Sequence, residues 1–357
     1  MKSNYDILGN HIRLIDTRNR ESITDRVLGI NIDKFFMPSV ANVIGTDLSK
    51  YKLITKGKFA CNPMHVGRDE RLPVALYDEE KPAIVSPAYF MFEVIDNSIL
   101  NEDYLMMWFR RPEFDRICWL HTDGSVRGGI TWDDICRLEL PIPPIENQLE
   151  IVNSYKAITE RIALKQKIND NLDDTAQTLY QKYFESNSDK SSWKQGTVGD
   201  VLQLQRGHDL PRTEMTGGKY PVAGSTGTIG YHDEFTAEAP VIVMGRSGNI
   251  GNPRLYLCNC WTHNTSLYVK QIYEEEPLWV FYLLKNLNYD GFVGGSAVPT
   301  LNRNDVHAYG IAIPPLELQK SFSQKVMSLI YCKEENLSEI EKLQELQKII
   351  LTTMSSR

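Results

Sequence analysis

The sequence contains one short proline motif twice, and the two copies lie 171 residues apart. The first copy is Leu140-Pro141-Ile142-Pro143-Pro144-Ile145-Glu146-Asn147-Gln148, and the second is Ala312-Ile313-Pro314-Pro315-Leu316-Glu317-Leu318-Gln319. The same offset aligns Ile130-x-x-x-Asp134-Ile135 with Leu301-x-x-x-Asp305-Val306, upstream of each motif. Self-similarity at a fixed offset indicates a repeated structural unit. The chain is therefore predicted to contain, twice, a globular region followed by Pro-Pro and a long helix.

A heptad pattern follows each Pro-Pro. After the first, residues recur at alternating steps of four and three, namely Ile151, Tyr155, Ile158, Ile162, Lys165, Asn169, Leu172, Ala176, Leu179 and Tyr183. Adding 171 gives Phe322, Val326, Leu329, Lys333, Asn336, Ile340, Leu343, Gln347, Ile350 and Met354. Both stripes are largely apolar, with polar residues near the middle, and are typical of a coiled-coil seam.

These stripes predict two helices of about 60 Å each that pack against one another. The alternative is that each stripe packs on its own globular domain. We expect the contacts between the helices, or with a partner, to involve eight apolar side chains in particular. These are Ile158, Ile162, Leu172, Leu179, Leu329, Ile340, Leu343 and Ile350.

The composition is that of a folded protein that works in a reducing compartment. Hydrophobic residues make up 42% of the 357 residues, which is enough for two domains, each with a core. The six cysteines follow no framework pattern, and neither a signal peptide nor a membrane-spanning run is evident, so we expect a cytoplasmic location. The net charge of −7 argues against coating nucleic acid by bulk electrostatics, but it leaves local recognition open.

The regions before the two helices are predicted to be rich in short strands. Apolar runs at 83–85, 89–94, 240–244 and 267–269 are separated by Gly, Pro and Asp turns. Helices are predicted at 102–110, where Pro112 ends the pattern, and at 278–287. A polar linker at 185–192 marks a boundary between the two copies.

Motifs for catalysis or metal binding are incomplete. The glycine-rich run 224–230 lacks the Gly-Lys-Ser/Thr ending of a phosphate loop, and no Gly-x-Gly-x-x-Gly opens a nucleotide-binding unit. Cys258-x-Cys260-x-x-His263 offers three zinc ligands without a second cluster, so buried strand cysteines are the preferred interpretation. Glu79-x-Lys81 and Asn62-Pro63-Met64 match nuclease and amino-methyltransferase motifs only in part. We therefore expect no catalytic residue and no metal site.

Polar loops that contain glycine are the remaining candidates for function. Arginine pairs with guanine edges or phosphates, asparagine pairs with adenine, and glycine lets backbone approach a duplex closely. In the first globular region the candidate DNA-binding residues are Arg18, Arg20, His65, Arg68, Arg71, His121, Ser125 and Arg127. In the second they are Arg206, His208, Arg212, Arg246, Ser247, Asn249, Asn264 and Ser296. Taken singly, each of these loops is more typical of an ordinary surface turn.

On these motifs the chain resembles the specificity (S) subunit of type I restriction-modification systems. The resemblance covers essentially the whole sequence and rests on the duplicated Pro-Pro motifs, each placed between a globular region and a long helix. Trp193-Lys194, Arg206-Gly207 and Gly245-Arg246-Ser247-Gly248-Asn249-Ile250-Gly251 are similar to that family's target-recognition domains. The counterpart of the last segment in the first region, 56–62, is divergent, as expected if the two domains recognise different sequences.

The resemblance implies an α+β fold in which two strand-rich target-recognition domains are separated by a pair of long antiparallel coiled-coil helices, with an internal pseudo-twofold repeat. The implied domains are 1–142 and 187–313, and the implied helices are 143–186 and 314–357. The chain would be a non-catalytic subunit that recognises a bipartite, asymmetric site in double-stranded DNA. It would bind two modification subunits, which carry S-adenosylmethionine and methylate adenine. A restriction subunit that uses ATP and Mg²⁺ would join if the system cleaves.

Three other functions stay open. A similar recognition subunit could serve a system that only methylates. A coiled-coil scaffold would have no role with nucleic acid. An autonomous enzyme would need a cofactor motif that the sequence lacks.

Overall fold

A computed structural model describes residues 5–40, 43, 45–64, 66–122, 128–289 and 300–354, together with the backbone of 293 and 294. The chain divides into two compact units. The first unit comprises Met1–Leu164 and Glu339–Arg357, and the second comprises Lys165–Ser338. No helix of the described residues is long and apolar enough to cross a membrane.

The first unit contains ten strands and four short helices among its described residues. The strands are β1 (Tyr5–Ile7), β2 (Ile12–Leu14), β3 (Val27–Ile30), β4 (Phe36–Pro38), β5 (Lys52–Ile54), β6 (Lys58–Cys61), β7 (Val74–Tyr77), β8 (Ala83–Val85), β9 (Phe90–Val94) and β10 (Glu139–Pro141). The helices are α1 (Val66–Asp69), α2 (Glu102–Phe109), α3 (Pro112–Leu120) and α4 (Trp132–Cys136). One sheet has the order β2-β9-β6-β7, a second has the order β4-β3-β8-β5, and β1 pairs with β10.

The second unit contains eleven strands among its described residues. They are β11 (Lys194–Thr197), β12 (Leu202–Arg206), β13 (Tyr220–Gly224), β14 (Gly227–His232), β15 (Val241–Gly245), β16 (Gly251–Tyr256), β17 (Trp261–Thr262), β18 (Ser266–Ile272), β19 (Val293–Gly294), β20 (Thr300–Leu301) and β21 (Gly310–Ile313). Its short helices are α6 (Val198–Val201), α7 (Pro277–Asn286) and α8 (Arg303–His307). The sheets have the orders β12-β18-β15-β16 and β14-β13-β17, with the pairs β11-β21 and β19-β20.

The strand orders of the two units match. Each unit has a four-stranded sheet in which the strands lie side by side in the order first, fourth, second and third of their sequence order. These sheets are β2-β9-β6-β7 in the first unit and β12-β18-β15-β16 in the second. In each, the other sheet contains a parallel pair, β3 with β8 and β13 with β17. The helices α4 and α8 lie 171 residues apart, as do the residues Thr131 and Asn302 that cap them through side-chain oxygens. The internal repeat predicted from the prolines is therefore present in the topology.

The two predicted short helices are confirmed as α2 and α7, but α3 and the four- or five-residue helices α1, α4, α6 and α8 were not predicted. The pattern at 102–110 forms α2, which Asn101 caps by accepting a hydrogen bond from the N–H of Tyr104 at 3.0 Å. Pro112 was expected only to end that helix. It instead occupies the first turn of α3, where the missing N–H of proline costs nothing.

Two long helices follow the Pro-Pro motifs: α5 (Ile145–Tyr180), which continues through one wider turn at Gln181–Glu185, and α9 (Leu316–Thr353). In the first unit the start of α5 pairs with the end of α9. Gln347 donates to the Thr159 hydroxyl at 2.7 Å, and Arg161 forms an ion pair with Glu339. Higher numbers on α5 therefore meet lower numbers on α9, and the helices run antiparallel.

In the second unit the end of α5 pairs with the start of α9 through a polar layer. Lys165 donates to the Asn336 carbonyl oxygen at 2.8 Å, and the Asn336 amide donates to Asn169 at 2.9 Å. Lys333 forms an ion pair with Asp173 at 2.5 Å. These are the polar residues that interrupt the predicted seam, and each has a partner on the other helix.

Both long helices also pack on the core of each unit, so the two alternatives for the stripes both hold in part. Val152 of α5 and Met354, the residue after α9, belong to the first core, whereas Ala176 of α5 and Phe322 of α9 belong to the second. The eight apolar helix residues singled out in the sequence are all buried or half-buried. Their role as a spacer or partner surface stays a prediction, as do the domain boundaries.

Candidate nucleic-acid interface

Loops of the second unit meet at the turn between β17 and β18. The carbonyl of Thr265 in this turn accepts hydrogen bonds from the backbone N–H groups of Arg246 (3.0 Å) and Ser247 (3.4 Å). Its hydroxyl accepts from the N–H of Ser225 at 3.3 Å. The segments 206–208, 223–225, 245–249 and 262–266 together form the second-unit loop cluster.

The end of β12 also bonds to this turn. The N–H of His208 donates to the carbonyl of Thr262 at 2.7 Å. Arg206 donates from Nε to the carbonyl of Asn264 at 3.3 Å. The structure therefore brings together six of the eight candidates of the second region: Arg206, His208, Arg246, Ser247, Asn249 and Asn264.

Two glycines allow the loops to approach so closely. A Cβ on Gly207 would lie 2.1 Å from the carbonyl oxygen of His263, and a Cβ on Gly245 would lie 1.5 Å from that of Asn249. Any larger residue at either position would push the loops apart, because side-chain carbons cannot approach an oxygen so closely. Glycine here shapes the cluster and does not merely end a strand.

The polar side chains of the cluster differ in how far they are already bonded. Asn249 donates to the carbonyl of Ser225 at 3.2 Å, and Asn264 donates to the carboxylate of Asp209. Arg246 is half-buried, and its guanidinium has no hydrogen-bond or ion-pair partner among the described residues. Arg246 therefore offers the most free donors in the cluster.

His208 and Arg212 lie at the edge of this arrangement. The exposed His208 ring packs near Trp261 and Tyr268, with ring centroids 6.3 Å apart in each case. Arg212 is exposed at the start of a short turn, Arg212–Glu214, and has no bond to the cluster among the described residues. The turn thus separates Arg212 from the other candidates.

A histidine outside the cluster holds the strand that carries Arg206. His307 of α8 accepts a hydrogen bond at Nε2 from the backbone N–H of Leu204 in β12, at 2.9 Å. Burial lowers the pKa of His307, and the positive charge of Arg303 lowers it further. A neutral imidazole is required here, because a protonated ring nitrogen could not accept this bond.

In the first unit, the loop after β6 contacts the segment that precedes α4. The carbonyl of Pro63 accepts from the N–H of Ile130 at 3.2 Å, and the carbonyl of Gly128 accepts from Gly67 at 3.0 Å. Helix α1, which carries Arg68, is therefore fixed beside the segment that begins at Gly128.

The second unit makes the equivalent contact. The carbonyl of Arg246 accepts from the N–H of Leu301 at 2.8 Å, and Leu301 lies 171 residues after Ile130. Because β6 and β15 occupy the same place in the two sheet orders, the segments that follow them, 62–64 with α1 in one unit and 246–249 in the other, are equivalent. The sequence had matched the Gly245–Gly251 segment with 56–62. In the structure 58–61 form β6, so the counterpart of the segment after β15 begins at residue 62.

The predicted arginines of the first unit are mostly paired with carboxylates. The pairs are Arg18–Asp16, Arg68–Asp69 and Arg71–Asp33, with N–O distances of 2.7, 2.6 and 3.0 Å. Arg20 is exposed and has no partner among the described residues. Exposed ion pairs of this kind contribute little to stability, so a phosphate can compete for the guanidinium groups. Their bonds hold Arg18 beside β5 and Arg71 beside the β3–β4 turn, so these bonds do not bring the two together.

The remaining candidates are less defined. His121 is exposed at the end of α3. His65, Ser125, Arg127 and Ser296 lie outside the described residues. All sixteen DNA-contact assignments stay predictions.

Thr265, Ser225 and Pro63 were missed as positioning residues, although the sequence held signals for two of them. Thr265 follows His263-Asn264 in a loop already singled out, and Ser225 lies in the glycine-rich run that failed as a phosphate loop. Only the pairing of strands distant in sequence shows that these residues meet. Pro63 acts through its backbone, for which side-chain chemistry gives no signal.

Hydrogen-bonding groups dominate the chemistry of these surfaces. Burial raises the pKa of Cys118 and Cys260 to about 12, so both thiols stay protonated. Cys258 was expected to be buried in a strand, but it is exposed in a bend between strands. No group of three or more His, Cys, Asp or Glu residues in the described ranges is arranged to hold a metal ion.

Residues 190–349, which include the whole second-unit loop cluster, match the family model of the type I restriction modification DNA specificity domain. Over its full length the chain is similar to a protein of Methanocaldococcus jannaschii assigned as the MjaX type I restriction enzyme specificity subunit. The two are 22% identical over 405 residues, covering 98% of this chain and 88% of that relative. By these two matches the chain is similar to the specificity subunits of type I restriction-modification systems.

Solved structures of type I restriction-modification proteins share the fold of this chain. The S subunit of the type I restriction-modification system from M. genitalium matches 98% of this chain and 95% of its own, at 17% identity and a TM-score of 0.62. A chain from a study of complex assembly and conformational transition of the type I system matches 98% of this chain and 97% of its own. Its identity is 16% and its TM-score is 0.50. The predicted α+β fold with an internal repeat is thus confirmed.

Proposed function

We propose that this chain is the specificity subunit of a type I restriction-modification system and recognises a bipartite, asymmetric site in double-stranded DNA, with one half contacted by loops of each unit. The observation that carries the proposal is the second-unit loop cluster. It gathers arginine, asparagine and serine donors from four separate loops within the region that matches the DNA specificity domain.

The chemistry of the cluster suits the major groove. Arg246 carries free guanidinium donors, and arginine bonds the O6 and N7 acceptors of guanine in a bidentate manner. Asn249 and Asn264 supply the amide pattern that adenine accepts. In this proposal the absence of side chains at Gly207 and Gly245 lets the loops pack closely, so that these side chains can reach a base edge. In this proposal Arg206 and Arg212 contact phosphates, which position the duplex.

The loops of the first unit differ in composition, which supports an asymmetric target. The segment 62–64 with α1 is equivalent to 246–249, yet it carries Pro63, Met64 and Arg68 where the second unit carries Arg246, Ser247 and Asn249. Two equivalent loops with different side chains present different donor patterns. The two halves of the proposed site are therefore expected to differ in sequence.

The proposed partners supply the chemistry of modification. Two modification subunits would carry S-adenosylmethionine and methylate adenine, and a restriction subunit with ATP and Mg²⁺ would join where the system cleaves. The acidic net charge of −7 supports a division in which partners provide much of the phosphate contact. In this proposal the specificity subunit is itself non-catalytic and works beside the chromosome in the cytoplasm.

Mapping methylated adenines in the source genome tests the proposal. We expect one two-part motif to lose methylation when this gene is deleted, and to regain it when the intact gene is returned. Return of an Arg246→Ala gene is expected to restore methylation only weakly. A genome with unchanged methylation after deletion would contradict the proposal and favour a scaffold without a DNA role.

A second measurement separates a complete restriction system from one that only methylates. Unmodified plasmid carrying the motif is introduced into the source cells with and without the gene. Lower recovery with the gene would indicate that a restriction subunit acts with it. Equal recovery together with motif methylation would assign the chain to a methylation-only system.

A further inference from the structure

The glutamine of each Pro-Pro motif is completely buried. Gln148 and Gln319 each have 0% exposed surface, although both lie on the first turn of a long helix, where polar side chains are normally solvated. A buried amide must form hydrogen bonds, because leaving it unpaired is costly. The hydrogen-bond partners of these two amides therefore indicate which segments the motif holds together.

Gln148 joins the start of α5 to the start of α2. Its Oε1 accepts from the N–H of Asn101, the residue that caps α2, at 2.9 Å. Its Nε2 donates to the carbonyls of Ile99 and Pro143, both at 2.8 Å. One side chain thus bonds the turn before α2 and the proline that precedes α5.

Gln319 makes a similar set of bonds in the second unit, with a carboxylate in place of one backbone carbonyl. Its Oε1 accepts from the N–H of Glu276, which caps α7, at 3.0 Å. Its Nε2 donates to the carbonyl of Pro314 at 2.9 Å and to the carboxylate of Glu275. The repeat therefore keeps two of the three bonds as well as the glutamine itself: the bond from the residue just before the short helix and the bond to the first proline of the Pro-Pro pair.

Packing connects these glutamines to the loops of the proposed DNA interface. In the first unit, Phe109 at the end of α2 packs edge-on against Phe59 of β6, with ring centroids 5.8 Å apart. β6 leads directly into the segment 62–64 that precedes α1. The position of α2 is thus transmitted to that segment through an aromatic contact in a closely packed core.

The second unit has a comparable connection. Tyr289 follows α7 and donates from its hydroxyl to the carbonyl of Leu284 at 2.6 Å. A Cβ built on Gly251 would lie 2.8 Å from the Tyr289 ring, so the ring abuts the end of the 245–251 segment. A movement of α7 would therefore move the loop that carries Arg246.

We propose that Gln148 and Gln319 are positioning residues that fix the orientation of each unit's DNA-contacting loops relative to the long helix that begins beside them. This inference rests on the proposed function. Without the three bonds, a long helix could pivot against α2 or α7 while the apolar core persisted. The subunit would then still recognise each half of its site, but it would discriminate poorly between spacings of the two halves.

The test uses the full chain with its modification subunits and a set of duplexes that carry the mapped target. The number of base pairs between the two halves is changed by one in either direction. Wild-type complex is expected to methylate one spacing best. Gln148→Leu and Gln319→Leu should each reduce the ratio of rates between the best spacing and its neighbours by about tenfold, because a displacement of about 1 Å between reacting groups can change a rate by this much or more. The preference for correct bases within each half should stay unchanged.

Matched controls lie on the same helices. Gln166 and Gln324 are exposed, so Gln166→Leu and Gln324→Leu remove a glutamine without removing a buried bond and should keep the wild-type spacing profile. Glu275→Ala removes one of the three partners of Gln319 and keeps the glutamine itself. It should shift the profile in the same direction but less, which keeps the test decisive if Gln319→Leu folds poorly.

A uniform loss would overturn the inference. If the leucine variants and Glu275→Ala methylate all spacings more slowly by one common factor, the glutamines are structural only. A failure of the proposed function gives a different result, because wild-type complex would then prefer no sequence and no spacing.

Discussion

Lys34 places a charge inside the first unit. Its side chain is 5% exposed, and Nζ donates to the Asp115 carboxylate and to the carbonyl of Phe109, each at 2.6 Å. Burial lowers the pKa of Lys34, and the neighbouring Asp115 opposes that shift. Asp115 also accepts from the N–H of Leu72 at 3.0 Å, so the ion pair joins three segments of chain.

Asp115→Ala is expected to destabilise the first unit by about 3 kcal/mol, because it leaves a buried ammonium and a backbone N–H without their partner. The midpoint of urea unfolding, followed by tryptophan fluorescence, measures the effect. Asp33→Ala is the control, since it breaks the exposed pair with Arg71 and should change the midpoint little. Equal shifts for the two variants would show that the buried pair adds nothing.

His307 joins two elements of the second unit, because its side chain on α8 accepts a hydrogen bond from β12. Its pKa is lowered by burial from the ordinary 6.5, so the unfolded chain takes up a proton more readily than the folded one. The stability that His307 contributes is therefore complete above about pH 6.5 and is lost as the pH falls toward the lowered folded-state pKa.

His307→Gln tests this dependence, since a glutamine oxygen accepts the same bond and does not titrate. Between pH 7.5 and 5.5 the wild type is expected to lose more thermal stability than the variant, measured by calorimetry. His121→Gln is the control, because His121 is exposed. Parallel loss in wild type and His307→Gln would assign the pH dependence to other groups.

The polar layer between α5 and α9 is the second feature at this scale. Asn336 bonds both Lys165 and Asn169, so Asn336→Leu removes one hydrogen bond from each of these two polar groups. We expect a cost of about 1 to 3 kcal/mol for this variant. The double variant Asn169→Leu with Asn336→Leu should recover part of it, because an apolar pair replaces a broken polar one.

Chemical unfolding of Asn169→Leu, Asn336→Leu and the double variant measures the coupling free energy between Asn169 and Asn336. Additive losses would contradict it, since groups that do not interact contribute independently. Leu164→Ala, at an exposed position of α5, is the control for a general loss of helix contacts.

Elements with a local cause were predictable from the sequence, and elements with a distant cause were not. The heptads at 151–183 and 322–354 predicted the long helices because helix periodicity depends on near neighbours. α3 was missed because Pro112 fits both the end of one helix and the first turn of the next. The loop cluster was only grouped by composition, since its geometry depends on β12 pairing with β18 across more than sixty residues and on β15 pairing with β18 across more than twenty. Gln148 and Gln319 stood in a visible motif, but their burial depends on tertiary packing.

At the scale of the whole molecule, two units of one topology carry different loops. A change in one loop should therefore affect one half of the target alone. Arg246→Ala is expected to relax sequence preference at one or two positions in one half, with a loss of about 1 to 3 kcal/mol in discrimination per base. The other half should keep its wild-type preference. Methylation of a library of randomised half-sites, read by sequencing, measures this.

Arg68→Ala is the matched variant, because its segment of the first unit is equivalent to that of Arg246. Any relaxation it causes should fall in the opposite half. Relaxation of both halves by either variant would show that the two units do not contact DNA independently.

The division of the chain between the units also has a consequence for synthesis. The second unit is one continuous stretch, 165–338, whereas the first needs 339–354 to complete a core that includes Met354. A ribosome makes 5–164 first, yet that part gains its last core residues only after the entire second unit has emerged. Synthesis of the first unit therefore starts before that of the second unit and ends after it. A nascent chain that stops short of residue 339 therefore leaves the core of the first unit incomplete, with apolar side chains exposed that the full chain buries.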